Sequence, residues 1–151
     1  IGPLQSNKTR AVAEQFAWVH SVDRLKIAKR LSEQRPAALP PLNVCLQVNI
    51  SREATKSGVL PEGTLALAQE IAALPGLALR GLMAIPAPTE TLEAQRQPLA
   101  ALRQLLEELQ AALPEAPLDT LSMGMSDDLE AAVLEGATLV RLGTAIFGAR
   151  G

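Results

Sequence analysis

The stretch LSMGMSDDLEAAVLEGATLVRLG, residues 121–143, decides how this chain folds. It opens on a short apolar run ending in glycine, passes through Ser126, Asp127 and Asp128, and continues as an apolar-rich segment to Gly136. A serine followed by two acidic residues is a strong helix start, because side-chain oxygens and negative charge meet the free N–H groups of a first turn. Gly136 is the matching stop. The second apolar run, 138–142, has strand character and ends at Gly143. Strand, helix and strand in such close succession describe two parallel strands joined by a crossover helix.

The same rhythm extends toward the N-terminus. Apolar runs at 16–21, 42–50, 79–85 and 118–123 read as further strands. They are continuous rather than alternating, which predicts a parallel sheet covered on both faces. Asp23 is expected to cap a helix carrying Leu25, Ile27, Ala28 and Leu31, stopped by the prolines of RPAALPPLN. Pro61 suits the first turn of a helix running through Leu65, Leu67, Ala68 and Ile71 to Leu74. Leucines 99, 102, 105, 106, 109 and 113 form one amphipathic stripe over 92–113, without a sustained heptad. Two α/β architectures compete, an open doubly wound sheet and a (β/α)8 barrel. No Gly-x-Gly-x-x-Gly follows any strand, which weakens the dinucleotide-binding form of the open sheet. A complete barrel takes roughly 250 residues, so the expectation is an incomplete TIM barrel holding about the last five to six strands, the stub IGP included.

Composition narrows the function. With 151 residues, 48% of them hydrophobic, the chain has the makings of one domain or less with a real core. A formal net charge of −2, two Phe, one Trp and no Tyr argue against a nucleic-acid partner. Cys45, the single cysteine, cannot form an internal disulfide and reads as a small buried hydrophobe. No window approaches the roughly 20 apolar residues of a membrane span, and the start lacks the regions of a signal peptide; a cytoplasmic protein is expected.

In barrels the reactive end lies where strands leave into helices, and the last two loops often hold a phosphate. Here those loops are SMGMSDD and RLGTAIFG. Gly124 lets backbone approach a ligand closely, and Ser126 opens a helix whose N-terminus favours an anion. Gly143 and Thr144 add backbone N–H and a hydroxyl. Together they make a phosphate cup; equally, Ser126 reads as a plain cap and Gly143 as a plain turn, and spacing does not choose. Arg141 is a lone charge inside a strand, costly unless it meets a carboxylate, a phosphate or a heteroaromatic nitrogen. Asn49 ends its strand at the corresponding edge and can donate to a ligand. His20 ends another strand, but no Ser or Cys partner stands beside it in a recognisable motif. Met83, Met123 and Met125 read as barrel lining, and Lys56 as a solvated loop residue. No catalytic residue and no metal ligand is assigned.

The segments IGPLQSNKTR, WVHSVDRLKIAKRL, LNVCLQVNISREATKSGV, LRGLMAIPAP and LSMGMSDDLEAAVLEGATLVRLGTAIFGAR together resemble the YggS/PROSC family of pyridoxal phosphate homeostasis proteins. The similarity runs in order over essentially the whole chain. It implies an alanine-racemase-type barrel in which residues 1–151 are the C-terminal part of a single cofactor-binding domain. It also implies pyridoxal 5′-phosphate as a cofactor that is buffered or delivered rather than turned over. Carried over by position, the phosphate grip falls on Ser122, Met123 and Gly124 and on Gly143 and Thr144. Arg141 matches the arginine that faces the pyridine nitrogen.

The departures from the family bear on function. The family's Schiff-base lysine, in a stretch resembling AVSK, and the next strand, resembling FGENY, have no counterpart, so roughly 80 residues of a barrel are expected to be missing. None of Lys8, Lys26, Lys29 or Lys56 matches the anchor. The expectation is a chain that holds the cofactor at most weakly, through its phosphate. Its exposed strand edges invite self-association. The alternative is a racemase-like pyridoxal phosphate enzyme or a barrel isomerase acting on a phosphorylated substrate. A racemase needs a second base, generally tyrosine, and the isomerase an acid/base pair, for which only His20 and Asp23 lie close together in sequence.

Overall fold

The computed structural model describes residues 3–54, 57–143 and Ile146. After a 3-10 turn and helix α1 (Thr9–Gln15) come strand β1 (Trp18–Val22), α2 (Leu25–Gln34), β2 (Leu42–Gln47), α3 (Thr64–Ala72) and β3 (Leu77–Met83). The chain continues through α4 (Leu92–Ala112), β4 (Thr120–Ser122) and α5 (Leu129–Leu134). All strand pairs are parallel, in the order β1-β2-β3-β4. Each strand adds to the same edge as the last, so the described sheet has no reversal point of the doubly wound kind.

The sheet is also curved. In a flat sheet β1 and β4 would stand three strand spacings apart, about 14 Å, yet His20 Nδ1 on β1 lies 2.8 Å from Ser122 Oγ on β4. The inner faces of the two outer strands therefore turn toward each other, as an arc of a barrel requires. On the outer, helix-covered face, the row Leu46, Leu82, Leu121 packs with Ile27, Leu31, Ile71 and Leu102 in one apolar cluster. The adjacent rows, Cys45–Gly81–Thr120 and Gln47–Met83–Ser122, lie on the inner face by the twofold alternation of strands.

Two bulges break the register. Between Val19 and Val22, β1 carries one residue more than β2; between Leu79 and Gly81, β3 carries Arg80 as its extra residue. The second bulge presents Arg80 to three partners. Its guanidinium bonds Asn43 Oδ1 at 3.1 Å and the Asp119 carboxylate at 3.1 and 2.5 Å, and lies 5.0 Å from the centre of the Trp18 ring.

Several expectations shift. The expected strand 138–142 is reduced to a single bridge, Leu139 to Ser122. The reason is local: Thr138 Oγ1 takes the Leu121 N–H at 2.8 Å, where a ladder would place a backbone carbonyl. The segment still runs beside β4, with Met123 N–H bonding Leu139 O and Arg141 N–H bonding Gly124 O at 2.9 Å. β2 stops at Gln47 rather than reaching residue 50, because Val59 folds back to donate to Gln47 O and accept from Asn49 N–H. Asp23 does not cap α2; Arg24 is the cap residue and no side-chain cap bond forms. The stub IGP has no strand among its described residue, and α1 was not expected from sequence. At the 3-10 turn before α5, the cap residue is Met125 rather than Ser126, and Asp128 Oδ1 accepts the Met125 N–H at 2.7 Å.

Helices α4 and α5 are joined by a buried carboxylate. Glu135 accepts from Arg96 Nε at 2.6 Å and Arg103 Nη2 at 3.2 Å, and Arg96, then Arg103, hold its pKa below the ordinary 4.5 against the opposing effect of burial. A carboxyl whose pKa is lower folded than unfolded stabilises above its unfolded value and ceases to do so as pH falls through the folded one. The urea midpoint is therefore expected to drop on acidification below about pH 4.5. Glu135→Gln should lower the midpoint at neutral pH and flatten that acid limb; an unchanged limb would remove Glu135 from the account.

Candidate functional site

The C-terminal ends of β1 to β4, with the segment beside β4, bring together His20, Gln47, Met83, Ser122 and Arg141. Arg141 is the most telling. Its Nη2 donates to Ala84 O at 3.1 Å, while Nε and Nη1 are buried without a hydrogen-bond partner among the described residues. Burial pushes its pKa down, yet a guanidinium keeps its charge near neutral pH. Such a group has donors left over for an acceptor other than the described residues.

His20 is nearly enclosed, at 8% exposure. Burial first, then the Arg141 charge, lowers its pKa from 6.5, so the imidazole is neutral at pH 7. Its partner Ser122 lies 102 positions away in sequence. No motif spacing could announce the pair. The only available signal was that both residues end apolar runs and so share one rim of a parallel sheet.

Other expected site residues fall differently. Ser122 is fully buried, with its hydroxyl engaged by His20. Met123 packs into the apolar cluster under the helices. Gly124 has φ +103°, and a Cβ there would collide with Ala132 Cβ, so its missing side chain admits α5 and leaves no open cradle. Asn49 is pinned to its own loop: Nδ2 donates to Glu53 O at 2.8 Å and Oδ1 accepts Glu53 N–H at 3.0 Å. At Gly143 a Cβ would meet nothing within 4 Å, so this end of the segment is open. Thr144 and Lys56 lie outside the described residues.

Cys45 lies on the inner face, fully buried, and burial pushes its thiol up to about 12. Thiolate, not thiol, attacks a disulfide reagent. The native chain is expected to resist Ellman's reagent at pH 8 and to react once urea unfolds it; fast native labelling would contradict this burial. Among the described residues no group of His, Cys, Asp and Glu could hold a metal, and no helix is long and apolar enough to cross a membrane.

A partial barrel with an arginine at the end of its last inner segment defines a class, and the comparisons agree with it. The family described as "Alanine racemase, N-terminal domain" matches residues 1–151, and the chain belongs to that family. It is 68% identical over 150 residues to a pyridoxal phosphate homeostasis protein of Pseudomonas aeruginosa and 55% identical over 150 residues to one of Escherichia coli K12. Each match covers 99% of this chain and 63% of the relative, so the chain spans less than two thirds of their length. Among solved structures it is similar to PipY of Synechococcus elongatus PCC7942, at 38% identity, without and with bound pyridoxal phosphate. The TM-scores are 0.89 and 0.88, covering 98% of this chain and 69% and 68% of PipY. Alanine racemase of Clostridium difficile 630, at 16% identity and TM-score 0.74, covers 99% of this chain and 39% of the racemase, and shares the fold.

Proposed function

We propose that residues 1–151 are the C-terminal part of a single barrel domain that binds pyridoxal 5′-phosphate and serves to buffer or deliver it without turnover. The observation that carries this reading is Arg141, with two buried nitrogens that no atom of the described residues satisfies. A pyridine nitrogen is an acceptor of the right kind, so the residues present fit the cofactor.

When bound, the cofactor supplies an aldehyde able to condense reversibly with an amine and a ring able to withdraw electrons. Arg141 has donors only, so it stabilises the ring nitrogen unprotonated and weakens that withdrawal. This suits holding better than transformation, and the names of the relatives point the same way. The loop 122–124 orients Arg141, because Gly124 O accepts its backbone N–H at 2.9 Å. Gly143, with open space about its Cα, and Thr144 are the residues we assign to the phosphate. Ser122, Met123 and Asn49 act behind them, by hydrogen bonding or packing, rather than on the ligand's phosphate. We place the protein in the cytoplasm and expect its open strand edges to pair with a second copy; light scattering that finds only a 16.0 kDa particle would remove that last expectation.

The direct test is quenching of Trp18, the single tryptophan, by pyridoxal 5′-phosphate and by pyridoxal. The phosphorylated form should bind at least about tenfold more tightly, as charge-assisted bonds to a phosphate would provide. Equal affinities, or no binding, would refute the reading.

A further inference from the structure

In the β1 bulge, His20 and Ser21 stand opposite Cys45 alone. Bulges redirect side chains, and this one turns His20 inward to meet Ser122. Because Ser122 shares a row with Gln47 and Met83, the four side chains His20, Gln47, Met83 and Ser122 form one layer inside the arc. Gln47 is nine-tenths buried, its Nε2 donates to Ser57 O at 3.4 Å, and its Oε1 has no partner among the described residues. The layer thus offers an idle acceptor, and beside it Arg141 offers idle donors. Arg141 is held at Ala84 O, whose own N–H donates to Ser122 O at 3.2 Å, and the Ser122 hydroxyl meets His20, so an acceptor seated on the guanidinium comes to the same end of the layer as the imidazole. With Nδ1 on Ser122, Nε2 is the ring nitrogen left for that neighbour.

We propose that His20 is a ligand-contacting residue of this site, its imidazole oriented by the Ser122 hydroxyl so that Nε2 meets the ring of an aromatic ligand seated on Arg141. The proposal rests on the cofactor reading above and extends it from the phosphate to the ring. The ligand chemistry it selects is a flat heteroaromatic ring with one acceptor edge for Arg141 and one donor, such as a ring hydroxyl, for Gln47 Oε1. Ser122 is the positioning residue: whether its hydroxyl donates to Nδ1 or accepts from it decides which ring nitrogen carries the proton.

His20 is the only histidine, so histidine-selective 15N labelling of the whole chain gives a single imidazole to follow by NMR. Pyridoxal 5′-phosphate is expected to shift Nε2, and inorganic phosphate to leave it in place. Ser122→Ala should turn one tautomer into a mixture and weaken pyridoxal 5′-phosphate binding about threefold to tenfold, as loss of one hydrogen bond implies. Ser122→Thr should restore both. If pyridoxal 5′-phosphate binds while His20 stays unmoved, or if phosphate alone shifts it equally, the inference falls and the cofactor reading stands. If wild-type chain binds neither probe, both fall together.

Discussion

Gly81→Ala is expected to cost about 3 kcal/mol or more, the upper range for overpacking, and to leave little folded chain. Gly81 follows the extra residue Arg80 in the β3 bulge, and its Cα pairs with that of Thr120 on β4. A Cβ built there would run into the Thr120 carbonyl, 2.7 Å from its carbon and closer still to its oxygen. The obstacle is backbone held in a ladder, which cannot rotate away as a side-chain tip could. Relief would require β4 to separate from β3. That would break the inner row Cys45–Gly81–Thr120 and loosen Leu121 from the apolar cluster on the other face. Urea denaturation followed by Trp18 fluorescence reads the effect. A midpoint within experimental error of wild type would show that the two strands are not as closely apposed as described.

Arg141→Met should separate binding from stability. The guanidinium is partly enclosed, with two nitrogens unsatisfied, and each buried donor without a partner costs on the order of 1–3 kcal/mol. Methionine keeps much of the aliphatic stem and removes those donors, at the loss of one bond to Ala84 O. The urea midpoint is expected to hold or rise, while affinity for pyridoxal 5′-phosphate falls at least about tenfold, since a hydrogen bond between a charged donor and the ring is lost. A variant that binds as well as wild type would remove Arg141 from the site. One that loses both stability and binding would make Arg141 a structural residue first.

The sequence made the repeating architecture legible because buried parallel strands leave continuous apolar runs, and those runs at 42–50, 79–85 and 118–123 overlap β2, β3 and β4. The long leucine stripe marked α4 because a single-sided period of 3.6 has few other causes. Helix α1 escaped notice for the converse reason: only Thr9 and Ala13 are buried in it, and neither is a large apolar signal. Residues 138–142 misled because their composition suits a strand, whereas a threonine hydroxyl occupies the place of a ladder bond. At the site, Arg141 was legible as a charge where charge is costly. The His20–Ser122 pair was not, because it exists only through the curvature of a sheet whose outer strands meet side chain to side chain.

The β3 bulge also fixes a parity. Residues before Arg80 and residues after it keep step with their neighbours because that one position is counted out, so Leu79 and Leu82 back the helices while Gly81 and Met83 face inward. Deleting Arg80 would therefore leave the phase intact: Leu79, Gly81, Leu82 and Met83 would follow one another opposite Val44, Cys45, Leu46 and Gln47, with Leu82 still backing the helices, at the loss of the bonds Arg80 makes to Asn43 and Asp119. The bulge thus marks a place where one residue can be lost without reversing inside and outside along the rest of the strand, as a one-residue deletion in a regular strand does.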